Sequence, residues 1–381
     1  MNPTDRRRLV TGSCGAILFG GLCASSASVV LPLLRSRYAL SYDFSGLLLA
    51  LLSVGNLAAG LLSSFLPRYL GRRGTMMLLC IGYPIGYWLL ASFGISGILC
   101  LSFLFIGLAK GSSMNHVTVN MGQCYEDKTK GVSILNALFA TGSLLAPVLY
   151  FVFGSGSLPW RTPLIVLGFA GTIVWLFLFF SEKPAPVSAS RAAAKERDDW
   201  SFLKNKHYWF CVLFLFGQQC AEISVTGWLV TYFKDTGILA GPMSEFTVTI
   251  VWTSMLIGRL ILAFVLPQGS RLRSPILIST ASIVTYLMLL GSSSSIPALI
   301  SLFLFGLSIS GAYPTGIANA GKMSSASIGI MLPTAGIGAI VMPYITGAVA
   351  GAIGIHGGMM CSLAALGIML LFSVLQKVFS E

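Results

Sequence analysis

The chain has 381 residues, of which 55% are hydrophobic and only 9% are charged, and its formal net charge is +12 at pH 7. Hydrocarbon offers backbone groups no water, so these groups must be satisfied within a helix or a closed barrel. Apolar runs of about 20 residues have the length of a membrane-spanning helix, whereas barrel strands need about half that length and alternate in polarity. The composition therefore excludes a large soluble domain and favours a helical membrane protein.

Twelve apolar stretches follow one another along the chain, and each can cross a bilayer as a helix. We predict spans at 9–34, 42–66, 74–93, 96–121, 130–153, 159–181, 207–233, 244–266, 274–291, 295–321, 326–351 and 354–379. The first stretch is too long for the apolar region of a signal peptide and lacks a small-residue cleavage site, so we interpret it as a retained helix. The predicted fold class is an all-α polytopic membrane protein, with twelve transmembrane helices in two pseudo-symmetric six-helix bundles.

The basic residues are distributed unevenly between the two sides that these spans define. One side holds 18 of the 24, namely Arg6, Arg7, Arg8, Arg68, Arg72, Arg73, Lys128, Lys130, Lys183, Arg191, Lys195, Arg197, Lys204, Lys206, Arg271, Arg273, Lys322 and Lys377. The other side holds Arg35, Arg37, Arg161 and Lys234. Because Lys and Arg accumulate in cytoplasmic loops, we expect a multi-pass protein of the cell (inner) membrane with both termini in the cytoplasm. The accumulation of Lys and Arg on the cytoplasmic side accounts for the net positive charge of the chain. We therefore expect no nucleic-acid partner.

A single polar linker divides the chain into two halves that resemble each other. Residues 182–206 are rich in proline, alanine, serine and charged residues, which is typical of a flexible connector. We therefore predict an N-terminal bundle at 1–181, a cytoplasmic linker at 182–206 and a C-terminal bundle at 207–381. The residues that match between the halves are FGGLCAS (19–25) with FGQQCAE (216–222), Gly55 with Gly258, Gly107 with Gly306, Asn120 with Asn319, Gly142 with Gly338 and Pro147 with Pro343. Internal repeats of this kind build transporters whose solute site lies near the membrane midplane, where the repeats meet.

The segment between the second and third spans, LPRYLGRRG (66–74), resembles the loop motif G-x-L-x-D-R-x-G-R-R of the major facilitator superfamily. Gly71, Arg72 and Arg73 match that motif. The predicted gating residues are Arg68, Arg72, Arg73 and Arg259. Arg68 stands where the family usually has an acid, so the usual charge interaction of that acid is not expected here. The resemblance covers nearly the whole chain and implies that spans 1, 4, 7 and 10 line a central cavity.

Two further segments resemble the fucose–galactose–glucose:proton symporter branch of that superfamily. They are AEISVTGWLVTYF (221–233) and GLSISGAYPTGIANAG (306–321). The fucose permease of that branch uses acidic residues in spans 1 and 4, and this chain has none in either span. The resemblance therefore implies a sugar-type solute but does not supply the proton mechanism.

The seventh span carries a polar stripe that includes the one acid deep within a predicted span. Gln218, Gln219, Glu222 and Thr226 fall on one helical face about 100° wide. A polar side chain within a membrane span is costly unless it faces protein or water, and is therefore a functional candidate. The stripe either lines the cavity or bonds neighbouring helices. We favour the cavity, with Gln218, Gln219 and Glu222 binding solute and Glu222 carrying the proton.

Span 4 places Lys110 near its centre, with Asn120 on the same face and His116 at its edge. The ammonium either pairs with Glu222 or attracts an anionic solute. Arg259 on span 8 either forms a gate or reaches the solute. Two cations against one acid favour a solute with a carboxylate or phosphate.

The remaining predicted solute-binding residues are Asn319 and Tyr313 on span 10 and Trp228 on span 7. Either aromatic side chain can stack on a sugar ring or an apolar part of a solute, and each alone is more often a packing residue. No His/Cys cluster has the spacing of a metal site, and we expect no metal and no cofactor.

Together these patterns predict a secondary transporter that moves a sugar, a sugar derivative or a small organic anion by alternating access, in the form of proton-coupled import. The alternatives are a drug or metabolite exporter and a uniporter or anion exchanger. A membrane enzyme is disfavoured, because the sequence offers no paired acids, no Ser/His/Asp set and no phosphate-binding loop. The expected partners are the solute, protons and the lipid bilayer, and the expected state is a monomer.

Overall fold

A computed structural model describes the chain in eight stretches. The described residues are 3–124, 128–154, 159–181, 201–239, 241, 243–265, 274–321 and 325–379. Within these stretches the structure is helical and contains no β-strand. The predicted linker at 182–206 lies largely outside the described residues, and only a short 3₁₀ turn, Ser201–Lys204, precedes the second half.

Thirteen α-helices occupy the described residues. In the first half they are α1 (Pro3–Tyr38), α2 (Tyr42–Phe65), α3 (Pro67–Cys80), α4 (Gly82–Ser92), α5 (Ser96–Cys124), α6 (Lys128–Gly154) and α7 (Thr162–Ser181). In the second half they are α8 (Lys206–Thr236), α9 (Met243–Leu260), α10 (Pro275–Leu290), α11 (Ser295–Ile309), α12 (Ala312–Gly321) and α13 (Ser325–Val378). One turn of π-helix, Ile261–Val265, continues α9.

The predicted spans correspond to these helices with three differences in continuity. The third predicted span includes α4 and the second half of α3, and the tenth is divided into α11 and α12. The last two spans follow each other within α13, where Gly354 has φ 87° and ψ 164°. A helix of 54 residues would be about 80 Å long, far more than one bilayer. The positive φ at Gly354, which glycine adopts without steric cost, therefore separates two membrane crossings.

Eight helical stretches in the described part of the chain are long and apolar enough to cross a membrane. Two shorter apolar helices, Ala137–Phe153 and Pro275–Leu290, accompany them. The predicted fold class, a helical membrane protein with two six-helix bundles, is confirmed.

The segment at 66–74, predicted as a loop, is helical over most of its length. Helix α3 begins at Pro67, and proline is well tolerated at the first turn of a helix. Gly71 then interrupts the helix with φ 69° and ψ 168°. The glycine of the loop motif thus permits a sharp break, and the helix resumes with Arg72 and Arg73.

Spatial contacts group the chain into two compact units. One unit contains Met1–Val29 with Leu51–Glu196, and the other contains Val30–Ala50 with Arg197–Glu381. The hairpin Val30–Ala50, formed by the end of α1 and the start of α2, thus belongs spatially to the second unit. We call these the N-terminal and C-terminal units; the domain limits given above stay a prediction.

Matching glycines hold helices together in the N-terminal unit. Gly55 on α2 faces the carbonyl of Leu104 on α5, and Gly107 on α5 faces the carbonyl of Leu52 on α2. Gly142 on α6 likewise lies directly against a backbone carbonyl of α1. A side chain at any of these positions would clash with backbone, so the absence of a Cβ is what allows the helices to approach so closely.

The glycines that the repeat pairs with these make equivalent contacts in the C-terminal unit. A Cβ at Gly258 on α9 would lie 3.0 Å from the carbonyl oxygen of Leu307 on α11. A Cβ at Gly306 would lie 2.9 Å from the carbonyl oxygen of Val251, and one at Gly338 on α13 would lie 2.7 Å from that of Phe216 on α8. The repeat read from the sequence therefore reflects one packing scheme used twice.

The hairpin Val30–Ala50 is fastened to α8 by a small charged group. Asp235, in the last turn of α8, forms an ion pair with Arg35 and accepts a hydrogen bond of 2.7 Å from the Tyr42 hydroxyl. The Arg35 guanidinium carbon also lies 3.7 Å from the centre of the Tyr42 ring. We call Arg35, Tyr42 and Asp235 the hairpin latch.

Candidate functional site

A buried carboxylate on α8 is the centre of a group of polar side chains in the C-terminal unit. Glu222 is 7% exposed, and its Oε2 accepts a hydrogen bond from Nε2 of Gln218, which is completely buried. The two residues are one helical turn apart, as the polar stripe predicts. Thr226 also belongs to the stripe, but its hydroxyl donates to the Glu222 carbonyl at 2.7 Å and is thus engaged within the helix.

One residue of another helix interacts with this carboxylate, and that residue interacts in turn with an arginine of a third helix. Tyr313 on α12 interacts electrostatically with both Glu222 and the Arg259 guanidinium of α9. Three helices of the C-terminal unit thus bring an acid, an amide, a phenol and a guanidinium together. We call Gln218, Glu222, Arg259 and Tyr313 the C-terminal polar cluster. Arg259, for which the sequence left a gate and a solute contact equally open, therefore lies with the predicted solute-binding residues.

Two atoms of this cluster are buried without a hydrogen-bond partner among the described residues. They are Oε1 of Gln218 and Nε of Arg259. Buried polar atoms are nearly always hydrogen-bonded, because leaving one unsatisfied costs about 1–3 kcal/mol. One orphaned atom is an acceptor and the other is a donor. The cluster can therefore accept a bond from one group and donate a bond to another.

The other predicted residues of the C-terminal unit have different surroundings. Gln219 and Asn319 are half-buried on α8 and α12. Trp228 is completely buried, and its indole N–H donates to the Pro343 carbonyl at 3.0 Å. The Trp228 ring also packs against Tyr42, with ring centroids 6.1 Å apart. Its indole would have to leave this packing in order to stack on a solute.

Lys110 is half-buried at the middle of α5 in the N-terminal unit. Its backbone carbonyl accepts a hydrogen bond of 3.0 Å from Ser113, whose hydroxyl also bonds the Tyr83 hydroxyl at 2.8 Å. The Lys110 ammonium acts electrostatically on the Cys23 thiol of α1. The membrane part of this unit contains one ammonium and several hydroxyl groups but no acidic residue.

Two tyrosines that the sequence analysis overlooked contribute to these surroundings. Tyr83 and Tyr87 on α4 are both buried, and the Tyr87 hydroxyl bonds the Ser26 hydroxyl of α1 at 2.7 Å. Phe19 packs edge-on against Tyr83, with ring centroids 4.9 Å apart. Their spacing of four residues places both hydroxyls on one face of a helix, and this spacing could have identified the pair.

Asn120 and His116, both predicted to bind solute, are hydrogen-bonded within the N-terminal unit. The Asn120 side-chain oxygen accepts a bond of 2.7 Å from Arg72. His116 Nδ1 bonds the Ser112 carbonyl one turn earlier at 2.8 Å. Both residues belong to the N-terminal unit, whereas the C-terminal polar cluster belongs to the C-terminal unit.

The arginines of the loop motif attach α3 to two neighbouring helices. Arg72 bonds Asn120 on α5, whereas Arg73 donates to the Phe179 carbonyl near the end of α7 at 2.8 Å. A cation at the C-terminus of a helix is favourable, because the last carbonyls carry a partial negative charge. Arg68 is exposed at the start of α3. The Asn120 amide oxygen is thus one acceptor of a bond from Arg72.

The profile of the Major Facilitator Superfamily matches residues 13–327, which is most of the chain. The chain belongs to this superfamily. It is accordingly a multi-pass membrane transporter that acts on small molecules. Among the described residues, no group of three or more His, Cys, Asp or Glu side chains could hold a metal ion.

Proteins of known structure and one curated relative extend this comparison. A bacterial homologue of the human lysosomal transporter Spinster, inward-facing and occupied, has a TM-score of 0.79 at 12% identity, with 99% of this chain and 98% of that chain covered. The nucleoside transporter NupG has a TM-score of 0.71 at 16% identity, with both chains fully covered. Bypass of stop codon protein 6 of Saccharomyces cerevisiae is 24% identical over 380 residues, covering 88% of this chain and 76% of that protein. At these identities the two structures establish the fold only.

Proposed function

We propose that this transporter carries a small polar solute, either a sugar derivative or a small organic anion, across the cell membrane by alternating access. The observation that carries this proposal is the C-terminal polar cluster. A buried carboxylate and a buried amide, with a half-buried guanidinium and phenol, are expensive to maintain in a membrane protein unless they bind something. Transporters bind solute with such groups near the middle of the membrane.

The proposal includes proton-coupled import, with Glu222 as the proton carrier. Glu222 is the one acid among the described residues that lies more than two turns from the end of its helix. A buried carboxyl group can exchange a proton only when it becomes accessible, and alternating access provides that condition. The resemblance of 221–233 and 306–321 to the sugar:proton symporter branch supports the direction of transport. The distribution of Lys and Arg supports a cell-membrane protein with both termini in the cytoplasm.

An anion exchanger is the second candidate, and the charge balance of the spans favours it. Lys110 and Arg259 are the basic residues that lie away from the ends of predicted spans, and Glu222 is the one deeply placed acid. The sum of these charges is positive, and an anionic solute would neutralise it. We propose that Lys110 contributes to binding the anionic group of such a solute. We also propose that the carrier acts as a monomer.

Replacing Lys110 with alanine should weaken the binding of anionic solutes about tenfold or more, because a charge-assisted hydrogen bond in a half-buried site is lost. The purified full-length protein would be screened by thermal shift and by uptake in proteoliposomes. The panel would contain sugars, sugar acids and small carboxylates. Binding of neutral sugars should survive the substitution.

The matched control is Lys206→Ala, which removes an exposed lysine at the start of α8. This variant should behave like the wild type. If no compound of the panel stabilises the wild-type protein in the thermal shift assay or is taken up by proteoliposomes that contain it, the proposed solute class is rejected. If Lys110→Ala weakens neutral and anionic solutes equally, the anion role of Lys110 is rejected.

A further inference from the structure

The amide of Gln218 has a fixed orientation. Its Nε2 donates to the Glu222 carboxylate, whose oxygens are acceptors and offer no donor when the group is ionised. Because the nitrogen is committed to that carboxylate, the oxygen of the same amide remains as the acceptor. That oxygen is buried and has no partner among the residues that the structure describes. A solute that satisfies it must present an O–H or N–H group.

The orphaned atom of Arg259 has the opposite requirement. A guanidinium stays protonated in proteins and offers only donors. Its buried Nε has no acceptor among the described residues. The residue also interacts electrostatically with Tyr313, which is in turn near Glu222. The group that best satisfies a guanidinium is an anionic oxygen, since carboxylates and phosphates match its geometry.

From these two observations we propose that the C-terminal polar cluster recognises a small hydroxylated organic acid. Its hydroxyl groups would bond the Gln218 oxygen and the Glu222 carboxylate, and its anionic group would bond Arg259. This inference rests on the proposed function and narrows its solute class. A neutral polyol would leave the charge of Arg259 uncompensated, and an unsubstituted carboxylate would leave the Gln218 oxygen without a donor. Either loss is costly, because a site built to bond a polar group discriminates against a compound that lacks it.

Three compounds with the same six-carbon chain separate these requirements. Gluconate carries hydroxyls and a carboxylate, sorbitol carries hydroxyls alone, and hexanoate carries a carboxylate alone. Affinities would be measured by isothermal titration with the full-length protein in detergent. We expect gluconate to bind at least about tenfold more tightly than sorbitol or hexanoate. Equal or tighter binding of either other compound to the wild-type protein overturns the inference, and so does the absence of gluconate binding.

Two variants test which residue reads which group. Gln218→Met preserves the length and volume of the side chain but removes both the amide oxygen and the Nε2 donor to Glu222. It should weaken gluconate about tenfold or more while leaving hexanoate unchanged. Arg259→Gln should remove the preference for gluconate over sorbitol. Thr231→Val is the matched control, because Thr231 is a buried residue of the same helix with an orphaned hydroxyl, outside the cluster.

The outcomes separate this inference from the proposed function. If Thr231→Val weakens gluconate as much as Gln218→Met does, the effect is structural and the inference fails. If Gln218→Met does not fold, the comparison of the three compounds on the wild-type protein decides alone. Uptake of neutral sugars without gluconate binding would reject the inference and keep the transport proposal. A protein that transports no sugar, sugar acid or carboxylate would reject both.

Discussion

Replacing Glu222 with glutamine should abolish proton-driven accumulation of solute while exchange of solute across the membrane persists. Glutamine has nearly the shape of the acid and can still bond Gln218, so packing should change little. It cannot take up or release a proton. For one proton per solute, each unit of pH difference is worth about 1.36 kcal/mol, which corresponds to about tenfold accumulation. We therefore expect the wild-type protein to concentrate solute about tenfold per pH unit and the variant not to concentrate it.

The measurement is uptake of radiolabelled solute into proteoliposomes, with and without an imposed pH gradient. Counterflow, in which unlabelled solute inside drives entry of labelled solute, reports exchange without proton movement. Glu245→Gln is the matched control, since Glu245 lies in the first turn of α9 and pairs with Lys234. If Glu222→Gln still concentrates solute in response to the gradient, the proton carrier is another residue. If the wild-type protein shows counterflow alone, the exchanger is the better description.

Reversing the charge of Asp235 should release the hairpin Val30–Ala50 from α8. Asp235→Arg replaces an ion pair by two facing guanidinium groups and also removes the acceptor of the Tyr42 hydroxyl. The side chains of Arg35 and Asp235 are 22% and 30% exposed, so solvent screens the repulsion only in part. Amide hydrogen exchange within 30–50 should accelerate about tenfold or more, as local opening becomes less costly.

A charge swap provides the internal control for this prediction. Arg35→Asp combined with Asp235→Arg restores opposite charges at the same two positions. Exchange in the hairpin should return most of the way to the wild-type rate, which is the signature of a direct pairwise interaction. Lys234→Gln, which breaks the neighbouring ion pair to Glu245, should leave exchange in 30–50 unchanged. Equal exchange in Asp235→Arg and the wild type would show that the latch does not hold the hairpin.

Much of the fold follows from local properties of the sequence. The length of each apolar run predicts a helix, because a helix satisfies its own backbone in hydrocarbon and a barrel strand would be about half as long. The glycine pairs of the repeat, such as Gly142 and Gly338, were recognisable because close helix contacts leave no room for a side chain. The bond between Gln218 and Glu222 was foreseeable from helical period alone, since residues four apart share a face.

Contacts between helices were harder to predict. Nothing in the period of α5 indicates that Asn120 accepts a bond from Arg72, because that partner depends on how α3 and α5 pack. The same holds for the hairpin latch, in which Arg35 and Asp235 lie 200 positions apart in the chain. The sequence analysis did not single out Tyr83 and Tyr87, and their hydroxyl partners on α5 and α1 depend on how these helices pack. Helical period identifies a face, whereas tertiary packing selects what that face meets.

The central claim is that the polar stripe of α8 faces a solute pathway that opens to each side of the membrane in turn. Gln219→Cys, in a chain whose eight native cysteines are replaced, places a thiol on this stripe. Membrane-impermeant thiol reagents would be applied to each side of oriented vesicles, with and without transported solute. We expect that reagents from either side label the thiol and that saturating solute slows both reactions. A thiol that no reagent reaches, or labelling that ignores the solute, would contradict it.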